Sequence, residues 1–532
     1  MIPVNALQIQ NRIKRILNTV IEPIALTDAT PLTVAAVHTV DPIAFDQATA
    51  SDFQTVQLPY RWGPVWTTAW FKLSGVAPKP QPGCETMLRI DMDGEGLVWK
   101  DGAPWHGVSQ YHQRIPWTPG KDGRVDCYLE AAANGLFGVQ RLGEAVPDMR
   151  DKPFLARRFE IVNFHPETYG LIKDIQFLVD LHFAYYDKLA KASGQPWKTH
   201  TVFRKVPKRA RDITRALARA ADMIESASPT KNIKAVRALL ADCINAPAAR
   251  DAGIMSAMGH SHIDVAWLWP LRETRRKCSR TFSTVLRNME RYPEYRYLQS
   301  QAQLYAYVEK DYPELFKQIK ARVADGRWEA NGGMWVEADC NIASGEALVR
   351  QFLHADRYFK SRFGKKVEQT YLWLPDVFGY SPALPGILRH CGIDTFITQK
   401  ISWSQYNRFP FTTFDWEGID GSRVLSHFLP ADTYNGNTLP TELILGDENN
   451  QNSDIAPLWL NAFGYGDGGG GPTPDHLEML RRAADCDGLP KARVQLPDAF
   501  RKELQNAVKG KELPVWIGEL YLELHRGTLT SQ

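Results

Sequence analysis

Residues 252–270 read AGIMSAMGHSHIDVAWLWP. A short apolar run from Ile254 to Met258 ends at Gly259 and then sets His260, His262 and Asp264 two residues apart. Residues two apart in an extended chain face the same way, so the three side chains converge if the strand conformation runs through them. Imidazole nitrogen and carboxylate oxygen together suit a divalent metal such as zinc. A hydrogen-bonded histidine and an aspartate capping the next helix satisfy the same letters, so the motif alone leaves both readings open.

This stretch opens a series that decides the fold. The helical pattern RRKCSRTFSTVLRNMERYP (275–293) follows it, then YRYLQS (295–300) as a strand. YPELFKQIKARVADG (312–326) reads as a helix closed by Gly326, WEANGGMWVEA (328–338) as a strand end, and SGEALVRQFLHADRYFKSRFG (344–364) as a further helix. Strand QTYLWLP, helix ALPGILRHCG and strand DTFITQ complete the series to residue 399. Repeated strand–helix units imply a parallel sheet wrapped by helices, a (β/α) barrel whose chemistry sits where strands end and loops begin.

Upstream the period changes. Residues 30 to 160 hold short alternating runs such as TTAWFKL and TMLRIDM, bounded by Gly, Pro and Asp, as in a β-sandwich. Six of the 16 tryptophans (62, 66, 70, 99, 105 and 117) fall here, and core packing is the assignment for most of them. Between 167 and 247 apolar residues recur at helical spacing, a helical connector. The first 17 residues read as an amphipathic helix without a signal core.

Composition limits the function classes. With 44% hydrophobic and 23% charged residues over 532 positions, the chain is globular and multidomain. A net charge of +3 supplies no overall basic surface for nucleic acid, and no apolar run is long enough to span a membrane. Seven cysteines without CxxC pairs read as reduced core residues of a cytoplasmic protein.

Three later segments offer further chemistry. In YLWLPDVFGYSP (371–382) Asp376 emerges where a strand stops, either as a working carboxylate or as a turn residue. In LNAFGYGDGGGGPTPDHLEML (460–480) Asp467 precedes four glycines; the chance GxGxxG match there lacks the acidic ribose contact of a nucleotide site. His525 in YLELHRGTLT follows an apolar run, where an ordinary structural histidine is the alternative.

Taken in order, HIDVAWLWP, EANGGMWVEADCNIASGEALVRQF, YLWLPDVFGYSPALPGIL, FGYGDGGGGPTP and ELYLELHRGTLTSQ resemble glycoside hydrolase family 38, the α-mannosidases. The β-rich N-terminal region resembles that of the cytosolic and vacuolar subgroup. The resemblance implies a multidomain α/β architecture: an N-terminal β-sandwich (1–165), a helical connector (166–250), a (β/α)7-type barrel catalytic domain (251–500) and the start of a helical domain (501–532). It further implies a metal held by His262, Asp264, Asp376 and His525, with zinc usual and cobalt associated with the subgroup. Asp376 is then nucleophile as well as ligand, and Asp467 is the acid/base of a retaining mechanism with two carboxyl groups about 5–5.5 Å apart. Trp267 matches the tryptophan that stacks beneath the sugar. Lys400 falls where relatives carry a basic residue near the nucleophile, and a positive charge there keeps Asp376 ionised. Trp335, Glu337, Asp339 and Asn341 lie in a matching segment, of which Trp335 and Asp339 are taken as substrate contacts, and His260 is expected to orient a ligand. The implied partner is an α-mannoside oligosaccharide or glycan, with a homo-oligomer allowed and neither nucleic acid nor membrane expected.

Family members continue well beyond the ELHRGT segment. Two rival readings follow from the residues: a catalytically incomplete mannoside-binding chain, and a barrel metal amidohydrolase using the paired His260 and His262.

Overall fold

The computed structural model describes residues 6–136, 138, 154–192, 206–226 and 229–524. Two antiparallel sheets form the N-terminal sandwich. One runs Leu26–Pro31, Phe154–Phe164, Glu85–Met92, Arg114–Pro116, with Tyr60–Trp62 also pairing with Phe154–Phe164. The other runs Gln54–Val56, Thr33–Thr39, Thr68–Val76, Arg124–Ala132, Glu95–Lys100, Ala103–Val108. Strand alternation explains the layer: Leu88, Ile90 and Met92 turn inward to meet Phe71, Val98 and Leu129, while Arg89 turns outward beside Glu160 at 3.1 Å. Trp62, Trp70 and Trp117 are buried, as core packing predicts.

Helices Pro166–Ala192, Lys208–Glu225 and Pro229–Ile244 form the connector. The N-terminal helix Ala6–Ile16 packs against Lys208–Glu225, with Arg12 on Asp222 at 2.8 Å, and buries Ile13 and Ile16 in the same core as Ile213 and Leu217. Its apolar stripe therefore places it with the helices, whereas the expected 1–165 unit groups it with the sandwich.

Downstream, Trp328–Glu329, Tyr297–Leu298, Ile254–His260 and Leu458–Phe463 are parallel neighbours in that order. Tyr371–Trp373, Thr395–Thr398 and Arg423–Phe428 form a second parallel set, extended by antiparallel Thr413–Glu417. A parallel bridge between Gly332 and Leu372 links the two sets on one side, and one between Gly436 and Phe463 ties the segment after Arg423–Phe428 to the first set. Met258, Leu298, Tyr371, Trp373 and Ile397, drawn from both sets, share one buried cluster. Strands buried on every residue, such as Leu458–Phe463, are what parallel sheets under helices require. The expected boundary at 500/501 falls inside helix Pro497–Val508, whose Phe500 and Leu504 are buried with Leu458 and Leu460. Val515–Ile517 then adds a strand beside Thr413–Glu417, so these residues belong to the same layer and do not begin a separate unit.

Helix Leu271–Arg291 lies between the sandwich and the layer of parallel strands, packed on strand Ala103–Val108. Four of its charged residues, Glu273, Arg276, Lys277 and Arg280, are buried: Arg276 bonds Glu130 and Glu273, both at 2.8 Å, and Lys277 bonds Glu95 at 2.6 Å, with Arg280 3.3 Å from the same Glu95 oxygen. Removing one partner of such a pair strands the other without water. Glu95→Ala is expected to lower the unfolding free energy by about 3–5 kcal/mol, measured by urea denaturation. A loss below about 1 kcal/mol would show that the cations regain solvent.

Candidate active site

The strand Ile254–His260 stops at its last residue, and this splits the opening motif. His260 points into the core, where its Nε2 accepts a hydrogen bond from Trp373 Nε1 at 3.0 Å. Burial, and then the neighbouring His262, hold its pKa well below the ordinary value, so it is a neutral acceptor. His262 and Asp264 instead turn to the strand ends. The backbone between them is fixed from the next strand end: Gln299 Nε2 donates to Ser261 O at 3.2 Å and Gln301 Nε2 to Ile263 O at 2.9 Å. Thr274 Oγ1 donates to Asp264 O at 2.9 Å.

Asp376 follows strand Tyr371–Trp373 and meets the pair. One ligand atom from each of His262, Asp264 and Asp376 fits within 4.8 Å of the others. His262 Nε2 lies 3.5 Å from Asp264 Oδ1, 3.6 Å from Asp376 Oδ2 and 4.0 Å from Asp467 Oδ1. Neither His262 Nε2 nor Asp264 Oδ2 has a hydrogen-bond partner, although both are buried. Buried polar atoms left unpaired call for a partner such as an ion or a water, and these two face a common centre. On its other edge, His262 Nδ1 lies 2.7 Å from Glu337 Oε2, and Glu337 Oε1 accepts from Ser300 Oγ at 2.9 Å. A carboxylate behind a histidine is how metal ligands are commonly oriented. Burial alone would push His262 down; Glu337 and Asp264 overrule it and hold its pKa well above the usual value.

Asp376 divides its two oxygens. Oδ2 faces His262, and Oδ1 is clamped by the Nζ of buried Lys400, which follows strand Thr395–Thr398. That ammonium sits 3.2 Å over the Trp403 ring and 4.3 Å over Phe378. Asp467 rides on a tight loop closed by reciprocal backbone bonds between Tyr465 and Gly471. Tyr434 OH donates to its Oδ1 at 2.9 Å and Asn435 Nδ2 to its Oδ2 at 3.4 Å. Burial raises the Asp467 pKa, and Asp264 and Asp376 push the same way, while His262 and the Tyr434 hydrogen bond oppose.

The remaining expected residues have the following contacts. Trp267 stands at the surface, 36% exposed and edge-on to Trp269 at 5.7 Å. Trp335 donates its indole N–H to Gln303 at 3.1 Å and packs edge-on against Tyr358 of helix Gly345–Phe363. Asp339 accepts from the backbone N–H groups of Asn341 and Ile342 at 3.0 and 2.7 Å, which ties up its Oδ1 in a turn. His525 lies outside the described residues. Glu337, Tyr434, Asn435 and Trp403 join the site without a role assigned from sequence; all four lie in segments beyond strand ends, which is the one signal that marks them.

The cluster therefore gathers several carboxylates and one histidine at the ends of parallel strands, with the exposed Trp403 beside Lys400. The model of the Glycosyl hydrolases family 38 N-terminal domain matches residues 252–519, and that of the Alpha-mannosidase, jelly roll domain matches residues 30–162. The chain belongs to glycosyl hydrolase family 38. It is 36% identical over 92% of its length to Alpha-mannosidase 2C1 of Homo sapiens, and 35% identical over 96% to Alpha-mannosidase G of Dictyostelium discoideum. Alpha-mannosidase of Saccharomyces cerevisiae matches 90% of the chain at 33% identity. The chain spans 45% of each of these relatives.

Proposed function

We propose that this chain carries the catalytic machinery of a metal-dependent, retaining α-mannosidase acting on terminal non-reducing α-D-mannose residues of oligosaccharides or glycans. The observation that carries the reading is the meeting of His262, Asp264 and Asp376 around one centre, with Asp467 4.0 Å from the same imidazole nitrogen. In this reading the two parallel strand sets, bridged through Gly332 and Leu372, close as one (β/α)7-type barrel with the site at the strand ends.

The donor set fits a divalent ion: one imidazole and two carboxylates, two of whose buried atoms lack partners, with His525 as the proposed fourth ligand. Zinc is the first choice and cobalt the second. Such an ion would supply electrostatic anchoring for two adjacent ring hydroxyls of mannose. The protein's own residues do the rest. Asp376 attacks C1 to form a C–O bond to the sugar as the glycosidic C1–O bond breaks. Asp467 gives its proton to the departing oxygen. Asp467, now a carboxylate, takes a proton from water, whose oxygen attacks C1 and returns the Asp376 carboxylate, so that mannose and the alcohol are released. Lys400, paired with Asp376 Oδ1, holds the carboxylate in place for the first step.

The paired-histidine amidohydrolase reading loses its support because His260 turns to Trp373. None of the seven cysteines is paired, which supports a reducing compartment such as the cytoplasm. Among the described residues no helix is long and apolar enough to cross a membrane.

The deciding experiment is nitrophenol release from an aryl α-mannoside by the purified chain, with and without chelator. Chelator-sensitive turnover with retained anomeric configuration is expected; an inverted first product would overturn the covalent route. A pH dependence follows from Asp467. An acid must carry its proton, so kcat/KM falls as pH rises through the Asp467 pKa, and the upward shift moves that limb above the usual aspartate range. A pH profile of Asp467→Ala lacking the alkaline limb is the expected check.

A further inference from the structure

The loop that presents Asp467 is gripped from its outer side by the sandwich domain. Tyr465, two residues before Asp467, lies face to face with Tyr111 of the sandwich, ring centroids 3.6 Å apart and planes 5° from parallel. His112, next to Tyr111, is buried and bonded through Nδ1 to Ser109 Oγ at 3.1 Å; a Cβ on Gly470 would lie 2.9 Å from its Cε1. At Gly468 a Cβ would lie 2.7 Å from Lys277 Cδ, and Lys277 is anchored by the sandwich residue Glu95 at 2.6 Å. The glycine run therefore lets the loop backbone press against two fixed side chains, and the tyrosine stack pins its entry. On the inner side Asn435 Oδ1 accepts from Gly466 N at 2.8 Å. Asp467 itself has φ +51°, in the left-handed region that aspartate adopts more readily than most side chains.

We infer that the sandwich domain sets the position of the general acid, with Tyr111 as a positioning residue that acts on Asp467 through Tyr465. The inference rests on reading Asp467 as the acid/base. A general acid contributes only where the leaving group needs a proton, and its contribution decays steeply with displacement.

The test is kcat/KM of the full chain for aryl α-mannosides whose leaving groups range from dinitrophenol to phenol. Tyr111 is 40% exposed, so its truncation removes the stack without opening a core. Tyr111→Ala is expected to lose about tenfold or more on phenyl α-mannoside and to stay within about twofold of the parent on the dinitrophenyl substrate. Tyr111→Phe keeps the stacked ring and should match the parent on both. Gly470→Ala, which drives a methyl against His112, should reproduce the selective loss. Asp467→Ala is the control, with a larger loss of the same selectivity and turnover of the dinitrophenyl substrate restored by azide. Failure of that control removes the acid/base reading itself. A selective Asp467→Ala beside a Tyr111→Ala whose loss is uniform across leaving groups, or absent, overturns the positioning role alone.

Discussion

Asp376→Ala is expected to lower turnover of an aryl α-mannoside by about 10⁴-fold or more, the largest effect of any single change in this chain. The residue serves two demands at once. Its Oδ2 belongs to the cluster around His262, 3.6 Å from the imidazole nitrogen, and its Oδ1 is held by Lys400. Truncation removes the attacking oxygen and one carboxylate of the cation site together, so a fall in rate by itself does not separate the two. Azide does. Entering the space left by the Asp376 carboxylate, it attacks C1 from the nucleophile's face and yields the β-mannosyl azide by a single displacement. In Asp467→Ala the nucleophile is intact, and azide attacks the mannosyl-enzyme from the opposite face to give the α-anomer. Opposite anomers from the two variants, read by NMR of the isolated azides, assign the two carboxylates; the same anomer from both would contradict the assignment. Lys400→Met should cost less, about 10²-fold, because it leaves the nucleophile present and removes only the ammonium that pairs with its Oδ1.

How much of this was legible in the sequence follows from how local each feature is. His262 and Asp264 lie in one short segment, so spacing alone brings them together. His260 carries the same spacing but fails, because the strand stops at that residue and only the partner Trp373, 113 positions away, decides where its ring goes. Glu337 sits eight residues past the end of strand Trp328–Glu329 in a segment without period, so nothing local aims it at His262. Strand and helix alternation after residue 252 is a periodic signal and survives into the structure; the domain boundaries are not. An amphipathic N-terminal helix is evident from its apolar stripe, but the helix that receives the stripe is some 200 residues away, so the sequence cannot say which domain claims it. The buried charges of helix Leu271–Arg291 invert the usual expectation. Arginine and lysine on a helix normally mark its solvated face, and here Glu95 and Glu130 on the sandwich, with Glu273 on the helix itself, make burial tolerable.

The metal reading makes its strongest statement apart from activity. The chain equilibrated with zinc and freed of excess is expected to retain about one ion per molecule, whereas His262→Ala and Asp264→Ala should retain less than about a tenth of that, measured by elemental analysis. Both side chains present buried atoms without protein partners, so deleting either removes one ligand from a set of three. Glu337→Gln asks a finer question. It keeps the size and the contact with Ser300 but removes the negative charge 2.7 Å behind His262 Nδ1. Loss of an orienting carboxylate typically weakens metal binding by about 10–100-fold, so the variant should still load at high zinc and release it at chelator concentrations the parent resists. An affinity unchanged by Glu337→Gln would mean that Glu337 merely neutralises a buried imidazole. Variants of His262 and Asp264 that kept their full complement would move the cation away from this cluster altogether, and with it the reason for a histidine among four carboxylates.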